Sequence, residues 1–286
     1  MRIGLISDNH EGGFERKIAE ALKGEDVDAI VSLGDAIEIP TNSERLIRVQ
    51  QIFCETGIPF YSTAGNHEGY QAWVRASEVV CQRYDNFYDA ALQHIFRING
   101  ISFVFVPGTE GMDDDFLVAN GKTGLKKIDG RECYVTSTKQ IERMLKEQSI
   151  DTSKTILFTH QPPEQGYRNG TDSLVGTDYE IVENPLEADG ITDEERDFYE
   201  LHQMIGQGSM QTRMLIKKTG IPLVCSGHLH RKTSAINHSG EDLVEGDVSN
   251  TMYITPGMAG RGEFAILETD DSTGNLVASY EKRNVQ

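Results

Sequence analysis

Residues 2–10, RIGLISDNH, join a strand-length apolar run to two polar residues, Asp8 and His10. Helical patterns and short apolar runs alternate after this segment. The strand patterns cover residues 29–33 and 59–63, and the helical patterns cover residues 14–23 and 43–55. This β-α-β-α-β order predicts parallel strands joined by right-handed crossovers, and therefore an α/β fold.

The rest of the chain contains both kinds of pattern. Asn99-Gly100 separates two short strand patterns and predicts a two-residue hairpin turn, so antiparallel pairs are expected there. Further strands are predicted at 95–98, 101–106, 155–159 and 222–226, and helices at 70–83, 137–148 and 209–218. The last strand patterns, at 252–255, 263–268 and 276–281, suggest a meander.

Two long stretches fit neither pattern. Residues 108–130 and 161–201 contain several glycines and many acidic side chains. Loops of this length are uncommon inside a compact domain and are often functional. We therefore predict a single domain over residues 1–286, with a lid-like segment inserted at about residues 161–201.

The composition restricts the partners of the protein. The formal net charge is −18. Proteins that bind nucleic acid without sequence preference are usually basic, and anionic membranes repel an acidic protein. No apolar run approaches the length of about 20 residues that a membrane-spanning helix needs. The first apolar run leads directly into Asp8 and His10, so we expect no removable leader and predict a cytoplasmic protein. The four cysteines lack CxxC spacing, which argues against a zinc ribbon.

Metal-type side chains follow five of the predicted strands. Each group stands next to glycine, serine or threonine, at the point where its strand ends. The groups are Ser7-Asp8-Asn9-His10, Gly34-Asp35, Gly65-Asn66-His67-Glu68, Thr159-His160 and Gly227-His228-Leu229-His230. One such group alone is weak support for a site, but in open α/β sheets sites form outside the carboxyl ends of the strands. We therefore expect the five groups to converge on one site.

The spacing of these residues fits metal ligands. In Asp8-x-His10 and His228-x-His230, residues two apart on an extended segment point to the same side. Asp35 follows a glycine, so its carboxylate can lie in a tight turn and bridge two cations. Oxygen and imidazole ligands without thiolate suit manganese, iron or zinc at a catalytic site. The remaining histidines, His94, His202 and His238, are interpreted as ordinary core or surface residues.

Taken together, the motifs resemble those of the calcineurin-like metallophosphoesterase superfamily. They occur in the order of that family and span Asp8 to His230. The resemblance implies a four-layer α/β/β/α sandwich, in which two mixed sheets are flanked by helices. It also implies the ligand sets. Asp8, His10 and His230 would bind one metal, Asn66, His160 and His228 would bind the other, and Asp35 would bridge them.

Two positions near the bridging aspartate need separate comment. His67 matches the family histidine that lies near the leaving-group oxygen, which implies a catalytic role as general acid. Many members carry aspartate three residues after the bridging aspartate, whereas this sequence has Glu38. A role for Glu38 in orienting His67 is therefore an open question. The arginine that the protein-phosphatase branch has near this motif does not occur in residues 34–39.

The resemblance implies a hydrolase that cleaves phosphate esters at a binuclear centre of divalent or trivalent ions. Manganese, iron and zinc all suit the ligands, and manganese is the expected activator. Two cations neutralise the phosphate oxygens and lower the pKa of a bridging water, so a metal-held hydroxide is expected to attack phosphorus. The protein would then be a phosphodiesterase or a phosphatase.

The sequence defines the substrate less closely. The acidic segment after His160 would repel a polyanion, which favours a small, nucleotide-like phosphodiester or phosphomonoester over duplex DNA. Tyr167, Arg168 and Arg261 are candidate contacts for a base or a phosphate, although each also fits an ordinary loop residue. A nuclease of the same superfamily and a metal-binding scaffold without turnover stay open as alternatives. The oligomeric state is also open.

Overall fold

The computed structural model describes residues 1–10, 12–110, 114–119, 122–128, 130–164, 208–230, 232–272 and 274–286. The α-helices in this part of the chain are α1 (Glu15–Gly24), α2 (Ser43–Cys54), α3 (Tyr70–Cys81), α4 (Thr138–Glu147) and α5 (Met210–Thr219). The strands are β1 (Arg2–Ile6), β2 (Ala29–Ser32), β3 (Phe60–Ser62), β4 (Phe87–Asp89), β5 (Ile95–Ile98), β6 (Ile101–Val106), β7 (Phe116–Ala119), β8 (Gly124–Ile128), β9 (Arg131–Ser137), β10 (Thr155–Thr159), β11 (Leu223–Ser226), β12 (Ser234–Ile236), β13 (Asp242–Leu243), β14 (Met252–Thr255), β15 (Glu263–Asp270) and β16 (Val277–Asn284).

Two large mixed sheets form the centre of the fold. The first has six strands in the order β16-β15-β1-β2-β3-β4, in which β1 to β4 are parallel and β15 is antiparallel to both of its neighbours, β1 and β16. The second has seven strands in the order β13-β12-β14-β11-β10-β6-β5, of which β14, β11, β10 and β6 are parallel. The predicted α/β fold with two mixed sheets is confirmed.

Alternate side chains of the central strands enter different cores. Ile3 and Leu5 of β1 pack with Phe103 and Phe105 of β6 in a core between the two sheets. The outer face of the first sheet packs against α1, α2 and α3, and the outer face of the second packs against α4 and α5. The four layers are therefore helices, sheet, sheet and helices.

Turn chemistry places several boundaries where the sequence predicts them. Asn99 and Gly100 both have positive φ, 50° and 84°, as a type I′ hairpin turn requires, and β5 pairs antiparallel with β6. Gly220 ends α5 in a left-handed conformation with φ 68°. These are local signals, and they hold because the residues that make them act within the turn itself.

The prediction that residues 108–130 lack regular structure is wrong. β7 and β8 lie in this stretch and join β9 in a three-stranded sheet, with β9 between them. Phe116 of β7 and Tyr134 of β9 pack against Tyr70 of α3. β8 is an edge strand whose side chains are mostly exposed, including those of Lys126 and Lys127. It therefore has no apolar run from which a strand could be predicted.

The predicted meander in the tail is also wrong. β14 pairs parallel with β11 in the second sheet, whereas β15 and β16 pair with each other in the first. β15 lies beside β1. The chain therefore crosses from one sheet to the other between Thr255 and Glu263, a connection that local pattern could not reveal.

Most of the predicted insert lies outside the described residues. The chain on either side of it comes together, because Pro163 and Ser209 form a β-bridge and the Ser209 N–H donates to the Pro162 carbonyl at 2.6 Å. The single domain with a lid-like insert stays a prediction. None of the helices in the described part of the chain has the length and apolar character needed to span a membrane.

Candidate metal centre

The five polar turns meet at one end of the two sheets. β1, β2 and β3 of the first sheet and β10 and β11 of the second each end just before one of them. Within the first sheet, the Asp8 N–H donates to the Gly34 carbonyl at 3.1 Å. Within the second, the Gly227 N–H donates to the His160 carbonyl at 3.0 Å. The His228 N–H donates to Asp8 Oδ2 at 3.0 Å, which joins the two sets of turns across the sheets.

Five of the candidate ligands have left-handed backbone, so the expectation that Asp8-x-His10 and His228-x-His230 lie on extended segments is wrong. Asp8, His10, Asp35, His228 and His230 all have positive φ, between 47° and 73°. Left-handed backbone costs a residue with a side chain about 1–3 kcal/mol, and such residues gather at functional sites. These turns after the strand ends, rather than the pleat of a strand, set the direction of the five candidate ligands.

The first ligand group contains Asp8, His10, Asp35 and His230. The Nε2 atoms of His10 and His230 lie 2.9 Å apart, and His230 Nε2 lies 3.4 Å from Asp8 Oδ1. Asp8, His10 and Asp35 are buried, while His230 is partly exposed. Turns from both sheets thus supply one compact set of donors.

The second ligand group contains Asn66, His160, His228 and again Asp35. Asn66 Oδ1 lies 2.8 Å from His160 Nε2 and 3.0 Å from His228 Nδ1. The two imidazole nitrogens lie 3.2 Å apart, and Asp35 Oδ2 lies 3.3 Å from His160 Nε2. Asp35 is therefore common to both groups.

The donor atoms of both groups fit metal ions. The neighbouring pairs of donor atoms given above lie 2.8 to 3.4 Å apart, which matches neighbouring ligands around an ion whose bonds are about 2.1 Å long. Two imidazole nitrogens that face each other at about 3 Å need either a shared proton or a cation between them. Carboxylate, amide and imidazole donors without thiolate suit manganese, iron or zinc.

A family model described as calcineurin-like phosphoesterase matches residues 1–232, which include all five turns. The chain belongs to this family. This calcineurin-like phosphoesterase is therefore a metal-dependent hydrolase of phosphate esters, as the resemblance of its motifs implies.

Solved structures share the fold of this phosphoesterase at low sequence identity. TT1561 of Thermus thermophilus has a TM-score of 0.60 and 17% identity, over 100% of this chain and 99% of that chain. Purple acid phosphatase PPD1 from yellow lupin (Lupinus luteus) has a TM-score of 0.52 and 13% identity, over 99% of this chain and 51% of the longer plant chain. A dimetal phosphatase from Danio rerio has a TM-score of 0.50 and 11% identity, over 100% of this chain and 99% of that chain. No curated protein sequence gives a significant match.

Burial and neighbouring charges shift the pKa values of two histidines in the centre, His228 and His160. Burial, together with the neighbouring His160, lowers the pKa of His228 to about 4, so its imidazole ring is neutral at neutral pH. Burial opposes the charged form of His160, but the Asp35 carboxylate outweighs burial and raises the pKa of His160 above its usual range. Ligation of a cation by His160 must therefore displace a proton, so metal binding releases protons.

His67 lies beside the first ligand group. Its ring packs edge-on against His10, with the centroids 4.8 Å apart. Its main-chain N–H donates to Asp35 Oδ1 at 2.9 Å, and its Nδ1 lies 3.1 Å from the main-chain oxygen of Glu38. Because a carbonyl oxygen only accepts, Nδ1 carries the proton, which leaves Nε2 to exchange a proton with a substrate.

Glu68 is a residue whose role the sequence did not reveal. Its carboxylate is buried, with 1% of the residue exposed. It accepts the main-chain N–H groups of Gly65 at 2.7 Å, Asp35 at 3.0 Å, Ala36 at 2.6 Å and Ile37 at 3.3 Å. Burial and the nearby Asp35 charge raise the pKa of Glu68 to about 7. The motif Gly65-Asn66-His67-Glu68 contained the signal, but only the fold shows what the glutamate binds.

Of the three candidate substrate contacts, Arg261 alone lies within the described residues. Its Nη1 lies 3.5 Å from the main-chain oxygen of His230. The preceding Gly260 N–H donates to the Asp8 carbonyl at 3.1 Å, which fixes this turn against the first ligand group. Arg261 therefore lies at the rim of the centre. Tyr167 and Arg168 lie outside the described residues.

Two of the remaining histidines lie away from the centre. His94 is buried near Tyr134, with the ring centroids 6.2 Å apart, and burial lowers the pKa of His94 to about 4. His238 is exposed and stacks on Tyr253, with the centroids 4.4 Å apart. His202 lies outside the described residues.

Proposed function

We propose that this phosphoesterase hydrolyses a small, nucleotide-like phosphodiester or phosphomonoester at a centre of two metal ions. The observation that carries the proposal is the position of Asp35, whose carboxylate belongs to both ligand groups. One ion would be bound by Asp8, His10 and His230, and the other by Asn66, His160 and His228, with Asp35 shared. Manganese is the ion that we expect to support activity.

When bound, the two cations would neutralise the phosphate oxygens and lower the pKa of a water held between them. The side chains of the protein supply the other requirements. Asn66 is a neutral ligand, so the second ion would keep more of its positive charge than a carboxylate would leave it. Asp35 is held by the His67 N–H and sets the spacing of the two groups. His67 would protonate the leaving oxygen through Nε2.

Charge supports a small substrate. The net charge of −18 opposes the approach of a long polyanion, while a single phosphate ester would interact mainly with the local cations. Arg261 at the rim would add one more positive group beside the first ion. A small ester with a second anionic or aromatic part, such as a nucleotide, fits this arrangement.

The test is hydrolysis by metal-stripped protein to which manganese is returned. The substrates are bis-p-nitrophenyl phosphate, p-nitrophenyl phosphate and a DNA oligonucleotide, and the matched control is Asp35→Asn. We expect manganese-dependent turnover of at least one aryl ester, lost in the Asp35→Asn protein. The preferred ester would separate diesterase from monoesterase activity.

Two outcomes would contradict the proposal. Faster cleavage of the oligonucleotide than of either aryl ester would assign the protein to the nucleases of the family. Stoichiometric binding of manganese without turnover of any of the three substrates would support a metal-binding scaffold.

A further inference from the structure

Glu38 lies three residues after Asp35 in the sequence, and its carboxylate lies closer to His10 than to His67. Oε2 of Glu38 lies 2.8 Å from Nδ1 of His10 and 3.9 Å from Nδ1 of His67. His67 Nδ1 instead lies 3.1 Å from the main-chain oxygen of Glu38. The side chain and the main chain of one residue thus contact two different histidines.

The contact with His10 explains how that ring can serve a metal. Nε2 of His10 lies in the first ligand group, 2.9 Å from His230 Nε2, so Nδ1 must carry the proton when Nε2 donates its lone pair. Nδ1 is buried, and the carboxylate oxygen 2.8 Å away lies off the line of the N–H bond. The Glu38 side chain is 51% exposed, so it has room to rotate into line.

The side chains of His10, Glu38 and His67 lie close enough together to hold a third cation. Two features oppose it. His67 Nδ1 faces a carbonyl oxygen and therefore carries a proton, so it has no lone pair to donate. His10 would also have to bridge two cations through one ring, because its Nε2 already faces His230. A carboxylate that orients a ligating histidine accounts for the geometry without either difficulty.

We propose that Glu38 is a positioning residue of the first ligand group. Its carboxylate holds the Nδ1–H of His10, so that Nε2 presents its lone pair to the cation. His67 is held by the main-chain carbonyl of Glu38 and does not depend on the carboxylate. This inference rests on the proposed two-metal function, and it predicts that the Glu38 side chain affects metal binding rather than proton transfer.

The experiment measures manganese binding to metal-stripped wild type, Glu38→Ala and Glu38→Gln by calorimetry. We expect Glu38→Ala to weaken one of two sites by about 10–100-fold, as loss of a carboxylate behind a ligating histidine commonly does. Glu38→Gln keeps an acceptor oxygen without the charge, so a smaller loss is expected. Glu44→Ala is the matched control, because Glu44 is an exposed acid that contacts Arg75.

A second readout separates positioning of His10 from positioning of His67. At saturating manganese, Glu38→Ala should regain most of its turnover and keep the wild-type pH profile and the wild-type ratio of rates on good and poor leaving groups. A Glu38→Ala protein that binds both ions as tightly as wild type would overturn the inference. So would a leaving-group ratio at saturating manganese that matches His67→Ala.

The failure of this inference is distinct from failure of the proposed function. If wild type binds fewer than two manganese ions per chain, the two-metal centre itself is wrong. If wild type binds two and Glu38→Ala binds them equally well, only the role of Glu38 is wrong. Circular dichroism of each metal-stripped variant checks that the fold is retained.

Discussion

The main-chain N–H of Asp35 donates to Oε2 of Glu68 at 3.0 Å, and the Asp35 carboxylate in turn accepts the N–H of His67, the residue before Glu68, at 2.9 Å. Each of these two turns therefore uses its carboxylate to bind the backbone of the other. The turns follow β2 and β3, which are neighbours in the first sheet. Asp35, the candidate ligand common to both groups, is thus fixed by protein contacts that do not require a metal.

Replacing Glu68 with glutamine tests this reciprocal arrangement. Each carboxylate oxygen of Glu68 accepts two main-chain N–H groups, so either orientation of the amide turns an NH₂ group against two donors. Stranded buried donors cost about 1–3 kcal/mol each, so we expect the free energy of unfolding to fall by about 3 kcal/mol. Urea denaturation of metal-stripped protein near pH 8 measures it.

The control for this change is Glu78→Gln, an exposed position on α3. It should leave the free energy of unfolding within about 0.5 kcal/mol of wild type. Equal urea midpoints for the Glu68 and Glu78 variants would show that the four hydrogen bonds do not hold the turns.

His67→Ala should bind both metal ions but lose rate according to the leaving group. A general acid contributes about 10²–10⁴-fold where the leaving oxygen needs a proton. p-Nitrophenolate leaves readily without one, so its esters should lose less rate than the corresponding phenyl or alkyl esters. Steady-state rates on a matched ester series measure this, and His238→Ala is the control because His238 is an exposed histidine outside the centre. An equal loss on every ester would argue against proton transfer by His67.

The sequence predicts the fold well where the signal lies within one element. Buried strands such as β6 and β10 are continuous apolar runs, and the predicted bounds of both match the structure. The five ligand turns could be anticipated because each directly follows such a run. Their convergence needs only the rule that parallel strands present their carboxyl ends at one edge.

What the sequence could not predict depends on long-range contacts. β8 is an exposed edge strand stabilised by pairing with β9, and its composition resembles a loop. The left-handed backbone of Asp8 and His10 follows from hydrogen bonds of this turn to the turn after β2. The sequence singled out Glu38 by its spacing from Asp35 but could not show that its carboxylate lies beside His10, and only the fold shows which N–H groups Glu68 binds.

Because His94 is buried away from the metal centre, we expect it to make the free energy of unfolding depend on pH even without metal. Burial lowers the pKa of His94 to about 4, whereas the unfolded chain titrates near 6.5. Between these values the unfolded state binds more protons, so stability present above about pH 6.5 is lost as the pH falls toward 4. For this group alone the loss between about pH 7.5 and pH 5 is about 2 kcal/mol.

His94→Leu removes the titrating group from a buried site and should flatten this part of the pH profile. The measurement is the free energy of unfolding of both proteins in urea across the same pH range, with the difference between them attributed to His94. Parallel profiles would mean that His94 titrates alike in the folded and unfolded states.

Arg261→Ala tests whether the rim of the centre binds substrate. The guanidinium lies beside His230 and is held by a turn whose Gly260 N–H bonds to Asp8, so it should contact a substrate anion in both ground state and transition state. Loss of such a uniform contact raises KM with little change in kcat, by about tenfold for about 1.4 kcal/mol of binding. The KM of Arg261→Lys should lie between those of wild type and Arg261→Ala, because lysine keeps the charge but not the planar guanidinium.

Steady-state kinetics on the preferred ester measure both kcat and KM. Arg16→Ala is the control, because Arg16 is exposed and pairs with Glu55 away from the centre. A fall in kcat at unchanged KM would instead assign Arg261 to stabilisation of the transition state, and unchanged kinetics would remove it from the site.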